Sequence, residues 1–276
     1  MKKKTKLLII EEILGVFAAL IIFVIPFLFM LVNSLKERRE ANLLKIALPE
    51  IPQWKNYLEV ITTNNGIIFT AFKNSLLIAF GSVVVLVVVC ALAGYILQRR
   101  SGKLMNLVNA VILAGLMIPP AILPTIAVMQ NLHVYKTLFG MIMVEVSLQI
   151  PFTVMLYRGF MSSIPVELEE AGYIDGCTSN RLFTAIVFPL LKPVTATVII
   201  LNAVNIFNDF TNPLYFLPGS KNVTVQLTLY NFLGQFSNSY NLLFADVIII
   251  TIPMLILFIF FNKRIVDGMT AGAVKG

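Results

Sequence analysis

Acidic residues crowd into one short stretch of the chain, where Glu167, Glu169, Glu170 and Asp175 are interleaved with Gly172 and followed by Gly176. Carboxylates beside glycines suit charge-assisted hydrogen bonds at a joint where two backbones approach closely, which is the chemistry of docking. Three more acids, Glu145, Asp209 and Asp246, fall in or at the ends of long apolar runs. Asn202, Asn205 and Asn208 do the same at i, i+3, i+6, a spacing that puts them on roughly one side of a helix. Ionisable groups at membrane depth usually face an interior or an aqueous path, so these six are candidates for a translocation pathway. For each asparagine, interhelical hydrogen bonding is the structural alternative.

Catalytic chemistry finds little support. The single histidine, His133, reads as an interfacial loop residue, and no HExxH, paired-cysteine or G-x-S-x-G pattern accompanies it. Cys90 and Cys177 are too few for a disulfide framework and read as packing residues. No metal site is expected. A phosphate-cradling G-x4-G-K-[ST] loop is also missing, since Gly102-Lys103 and Gly219-Ser220-Lys221 lack the upstream glycine and the order it requires.

The elements that must position these groups follow from composition. Of 276 residues, 58% are hydrophobic and 13% charged, against roughly half and a quarter in soluble domains, which excludes a water-soluble globule. Mean hydropathy is +0.87. The fold class expected is an all-α membrane protein with six transmembrane helices, at about 13–33, 75–97, 107–129, 139–157, 194–213 and 241–261. Residues 1–276 form a single transmembrane domain, with 158–193 a cytoplasmic loop and 262–276 a cytoplasmic tail. A signal peptide is the alternative for the first segment, after Lys2, Lys3, Lys4 and Lys6, but its apolar run exceeds the usual h-region.

Charge sets the expected orientation. With the N-terminus inside, Arg99, Arg100, Lys103, Arg158, Arg181, Lys192, Lys263, Arg264 and Lys275 join the N-terminal lysines on the inner side. The outer segments, apart from the long first loop, carry only Lys136 and Lys221. Both termini are therefore expected in the cytoplasm, and the net charge of +7 reads as topology, with no nucleic acid partner implied. The long outer loop, about 34–74, contains Trp54, Pro49, Pro52 and Tyr57, and either connects spans or docks a protein at the mouth of the bundle.

The inner loop predicts a helix-turn-helix. Pro165 and the acids after it suit a helix start, Gly172 and Gly176 provide close approach and a turn, and Thr178 or Ser179 caps a second helix to about Phe188. Pro189 and Pro193 end that helix. Leu182, Phe183, Ile186 and Val187 give it an apolar stripe, which packs either under the bundle or into a groove on another protein.

These residues carry a resemblance. Glu170-Ala171-Gly172, three residues, Gly176, nine residues, then Ile186-Val187-Phe188-Pro189 resembles the EAA motif of ABC importer permeases, with Gly172 and Phe188 as mild departures. Asn74-Ser75-Leu76, Ile118-Pro119, Ile164-Pro165-Val166-Glu167-Leu168, Asn208-Asp209-Phe210 and the ending Gly268 to Gly276 extend the likeness over nearly the whole chain. It is similar to the MalG-like inner-membrane permeases of di- and oligosaccharide uptake, although Phe207 stands where that family often has Trp.

The resemblance implies a permease subunit of an ATP-driven sugar importer, not an enzyme. Its partners would be a second homologous permease, two copies of a cytoplasmic ATPase, an extracytoplasmic sugar-binding protein and the bilayer of a bacterial inner membrane. No cofactor would be bound by this chain, ATP and Mg being held by the ATPase. Glu167, Glu169, Glu170, Ala171, Gly172, Asp175, Gly176, Ile186 and Pro189 would couple to the ATPase, and Gly272, Ala273, Val274, Lys275 and Gly276 would reach its interface. In such a pathway the amides and acids would meet sugar hydroxyls, with Phe207 and Tyr215 available for ring faces. The rival reading from another class is an ion- or proton-coupled secondary transporter or channel using Glu145, Asp209 and Asp246, which would leave the inner loop unexplained.

Overall fold

The computed structural model describes residues 14–18, 20–234 and 238–273, with side chains for all of these except residues 257 and 261–273. Among them the chain is helical, its one β-feature an isolated antiparallel bridge between Leu233 and Asn238. A backbone in hydrocarbon must bond internally, and a helix does this within one segment.

Helix α1 (Leu14–Ser34) carries a π-turn at Leu20–Val24, just before Pro26, whose missing N–H loosens the ladder there. After the short α2 (Arg38–Ala41) comes α3 (Lys55–Arg99), broken at Thr63–Gly66, where Asn64, Asn65 and Gly66 hold φ of 49°, 58° and 74°. Asn and Gly enter this left-handed region at least cost, so the local sequence itself sets the break. The stretch expected as outer loop up to residue 74 is thus partly helical.

The third apolar segment needs correction. Expected as one helix over about 107–129, it forms two, α4 (Lys103–Ala114) and α5 (Ile122–Asn131), around an irregular stretch containing Pro119 and Pro120. Two consecutive residues without an N–H, each disfavouring helix in the residue before it, break the ladder while leaving hydropathy high.

Helix α6 (Leu138–Met161) starts at Thr137, whose hydroxyl accepts from the Gly140 N–H at 3.0 Å. The loop after α6 holds α7 (Glu167–Ile174) and α8 (Ser179–Leu190), and α9 (Lys192–Asn208) departs from α8 at 74°. Pro193 lies in the first turn of α9, where its absent N–H is harmless. Then come α10 (Thr211–Phe216), α11 (Val225–Thr228) and α12 (Tyr240–Ala273). The tail expected from residue 262 is helical through Ala273, while Val274, Lys275 and Gly276 lie outside the described residues.

Four of the described helices are long and apolar enough to cross a membrane, or five if the bent pair α8 and α9 makes one span. Helices α4 and α5, at 12 and 10 residues, do not reach that length singly, so six continuous spans are not seen.

The chain divides into two compact units, residues 1–69 with 227–252, and residues 70–226 with 253–276. The first is held by a buried polar knot. Lys36, fully buried, donates to the Asn33 side-chain oxygen at 3.1 Å and the Lys45 carbonyl at 2.8 Å. Asn56 donates to the carbonyls of Ser34 and Lys36 at 2.8 and 2.9 Å, and Asn241 donates to Asn56 at 3.1 Å. The second unit contains the apolar core, with Leu86, Cys90 and Ala91 of α3 packed among Met141, Tyr157 and Met161 of α6, Leu182 and Val187 of α8, and Val198 of α9. Gly94 makes the close approach possible, since a Cβ there would lie 2.7 Å from that of Tyr157.

Candidate functional site

Helix α7 has two faces. Glu169 and Gly172, at i, i+3, are buried, while Glu167, Glu170, Ala171 and Ile174 are exposed at i, i+3, i+4, i+7, with Ile174 87% exposed. The acids in its first turn complement the positive end of the helix dipole. Its C-terminus closes in a Schellman motif, in which the Cys177 N–H bonds the Gly172 carbonyl and the Gly176 N–H bonds that of Tyr173, each at 3.0 Å. Gly176, at φ 77°, supplies the left-handed residue this motif requires. The result is an exposed apex of Tyr173, Ile174, Asp175 and Gly176.

The inner face is bound to the rest of the unit. Glu169, 5% exposed, accepts from Arg99 Nε at 2.7 Å and from the Tyr95 hydroxyl at 3.0 Å, and Arg99 Nη2 also donates to the Ile164 carbonyl at 2.8 Å. Among the coupling candidates, Glu169 therefore points inward, onto the end of α3, and away from the exposed face. Gly172 lets α7 lie against α8, since a Cβ would meet the methyl ends of Ile186 and Leu182 at 2.7 and 2.8 Å. The apolar stripe of α8 packs under the bundle, with Leu182 and Val187 fully buried and Ile186 partly so. Tyr95, Phe183 and Phe188 continue the contact as a tilted ring series at 5.5 and 6.0 Å. Thr178 occupies the N-cap position of α8, but its side chain makes no capping bond there. Pro189 stands near the end of α8, just before the bend.

The asparagine series divides. Asn202 is buried and donates to Thr153 at 3.2 Å and the Val198 carbonyl at 2.9 Å, which is the interhelical bonding role. Asn208 accepts from Gln226 at 3.2 Å. Asn205 lies in an open cleft of about 690 Å³ with Gln149, Phe152 and the irregular Leu116–Pro120 backbone, and neither amide has a hydrogen-bond partner among the described residues. Asp209 caps α10, accepting from the N–H groups of Thr211 and Asn212 at 2.9 and 3.2 Å and from the Asn212 amide at 2.6 Å.

Glu145 is 1% exposed, and its Oε1 has no hydrogen-bond partner among the described residues. Asp246 belongs to the other unit, where it accepts from Thr228 at 2.8 Å, its Oδ1 having no partner among the described residues. Phe207 is buried, in tilted contact with Phe72 at 6.4 Å, and Tyr215 is exposed. Gly272 and Ala273 end α12.

Sequence reasoning missed Arg99 and Tyr95 as partners of Glu169, and Gln149 as the neighbour of Asn205. The i, i+3 pairing of Glu169 with Gly172 was the available signal for the first, because it sets both on the face opposite Glu167 and Ile174. For Gln149 no signal stood out within an apolar helix.

Comparison with known proteins supplies the context. The family described as binding-protein-dependent transport system inner membrane component matches residues 90–271, which includes α7, α8 and the loop that carries them. The melibiose/raffinose/stachyose import permease protein MelC of Bacillus subtilis is 34% identical over 255 residues, covering 91% of each chain. The multiple sugar-binding transport system permease protein MsmG of Streptococcus mutans is 32% identical, covering 92% of this chain and 93% of that one. A bacterial ABC transporter that imports the acidic polysaccharide alginate contains a chain of the same fold, at a TM-score of 0.80 and 18% identity over 95% of this chain and 97% of that one. Alginate transporter in complex with an alginate pentasaccharide-bound periplasmic protein gives 0.72 at 14% identity, covering 94% of each.

Proposed function

Since the chain belongs to the family of inner membrane components of binding-protein-dependent transport systems, a multi-pass membrane permease, we propose that it imports an oligosaccharide at the expense of ATP hydrolysed by a separate subunit. The permeases MelC and MsmG, whose names state sugar import, support that substrate class. The pathway is shared with a second, homologous permease, and sugar arrives on an extracytoplasmic binding protein. Two copies of a cytoplasmic ATPase hold ATP and Mg, and this chain binds no cofactor. Both termini lie in the cytoplasm, as the lysine and arginine distribution favours.

One observation carries the coupling role: a short helix presents Glu167, Glu170 and Ile174 outward while its other face is clamped by Arg99. An exposed isoleucine flanked by carboxylates suits a cleft on another protein, where the apolar side chain is covered and the acids find donors. Closure of the ATPase dimer then moves α7 as a rigid body and biases the bundle toward one of two packings. Gly272 to Gly276 would add a second contact with the ATPase. In the membrane, Asn205, Asn208 and Asp209 would line the pathway, with Glu145 buried, while Asn202 holds α6 to α9.

Ile174→Asp tests the docking face without disturbing packing. The permease itself should fold with unchanged thermal stability, yet its affinity for the ATPase, and with it binding-protein-stimulated ATP hydrolysis and uptake, should fall by at least about tenfold, a loss of roughly 1.4 kcal/mol at the joint. Normal coupled uptake in this variant would remove α7 from the coupling role.

A further inference from the structure

Arg158 poses a problem that the transport cycle does not answer. It lies in the last turn of α6, at the level where a span leaves the hydrocarbon, and among the described residues its guanidinium has no carboxylate partner. Its bonds go to two neutral amides, Nε to the Gln98 oxygen at 3.3 Å and Nη1 to the Asn109 oxygen. These three side chains line an open cavity of about 340 Å³ together with Leu113, Val154 and Met155.

The lining is ordered along the helices. Val154 precedes Arg158 by four residues on α6 and lies about 6 Å farther from the C-terminal end of that helix, and Leu113 follows Asn109 by four on α4 and lies about 6 Å farther from the N-terminal end of that one. The cavity is therefore cationic and amide-lined at its interfacial end and apolar farther in. Arg100 and Lys103, both exposed, stand on the connection between α3 and α4, close in sequence to Gln98, and add positive charge.

We propose that this cavity between the ends of α3 and α6 and the second half of α4 is a binding site for one anionic phospholipid, its phosphate on Arg158 and an acyl chain along Leu113, Val154 and Met155. A guanidinium still has donors available after two bonds, and phosphate accepts them in charge-assisted geometry. Basic pockets between spans at a membrane surface select anionic headgroups in this way. A free phosphate shares the headgroup chemistry but has nothing to place against the apolar wall. The occupied site would brace α4 against the ends of α3 and α6 beside the Arg99–Glu169 clamp, so that the anionic content of the membrane would tune assembly of the coupling region.

The full chain with its associated subunits, taken into nanodiscs of mixed phosphatidylglycerol and phosphatidylcholine and then stripped gently, gives the test by native mass spectrometry. Wild type should retain phosphatidylglycerol in preference to phosphatidylcholine. Arg158→Gln should weaken that preference about fivefold, as loss of one interfacial basic contact predicts. Leu113→Trp, which fills the apolar wall without changing charge, should weaken it comparably, and Arg158→Lys should retain most of it. Should Arg158→Gln fail to assemble, competition on wild type decides: short-chain phosphatidylglycerol should displace the bound lipid and inorganic phosphate should not. Equal retention of the two lipids by wild type, an unchanged preference in Arg158→Gln or Leu113→Trp, or displacement by inorganic phosphate alone would each overturn the proposal.

Discussion

The carboxyl group of Glu169 shows how one helical residue can be separated in role from its neighbours. Glu167 and Glu170 face outward, whereas Glu169 is turned about 100° per residue away from each in sequence and lands on Arg99 and Tyr95. Removing one partner of a buried pair leaves an uncompensated charge, so Arg99→Ala should destabilise the complex by roughly 3 kcal/mol and lower the uptake gained per ATP hydrolysed. The exchanged pair Arg99→Glu with Glu169→Arg should restore part of both, measured by thermal unfolding and coupled uptake, and no restoration would argue that the pair does not act as a unit. The asparagines give a second contrast. Asn202→Leu should cost about 0.6 kcal/mol of stability, as interhelical bonds in membranes do, and leave the sugar concentration for half-maximal uptake unchanged. Asn205→Leu, whose amide is unpartnered in the open cleft, should raise that concentration with little effect on stability. The sequence made the acids and asparagines visible as a set. It did not distinguish inward from outward members, because that depends on helix phase and on a partner such as Arg99, some seventy residues away.

Local chemistry explains which elements were legible. The extent of α7 and the start of α8 followed from Pro165, Gly176 and Thr178, since a Schellman glycine and a turn before a helix act within a few residues, whereas α8 runs through Pro189 to Leu190, past the end expected at about Phe188. Gly176→Ala should therefore strain the αL position by roughly 1 kcal/mol and loosen the apex, detectable as faster amide exchange at Tyr173 to Cys177. Protected amides there, as in wild type, would mean that the turn does not depend on glycine. The break between α4 and α5 was hidden, since hydropathy averages over Pro119 and Pro120 and records side-chain polarity, not whether a backbone can bond itself. Irregular backbone at membrane depth is tolerated only when buried in protein or facing a watery cavity. Replacing both prolines by alanine should extend α4 and cut uptake while leaving insertion intact, as measured by transport and by protease protection; full uptake in that variant would show that the break has no part in the pathway. The bend between α8 and α9 was legible in part, because Pro189 and Pro193 flank it, but its angle of 74° is set by packing of the helices on the core.

At the scale of the molecule, composition sufficed for the class. A chain with 58% hydrophobic residues has to place them against lipid or one another, and the exposed apolar side chains of α3, such as Phe80, mark surfaces meant for lipid or another subunit. On the proposed function, the loop between α6 and α9 would separate an ATP-coupled permease from a gradient-driven carrier, because α7 is clamped to the bundle on one face and leaves the other exposed for a partner. The central claim is that transport by this chain is powered through α7 by ATP. Purified with its associated subunits and sealed into vesicles with a sugar-loaded binding protein outside, it should accumulate oligosaccharide when ATP is enclosed and none when a proton or sodium gradient is applied alone. Accumulation driven by the gradient in the absence of ATP would contradict the account.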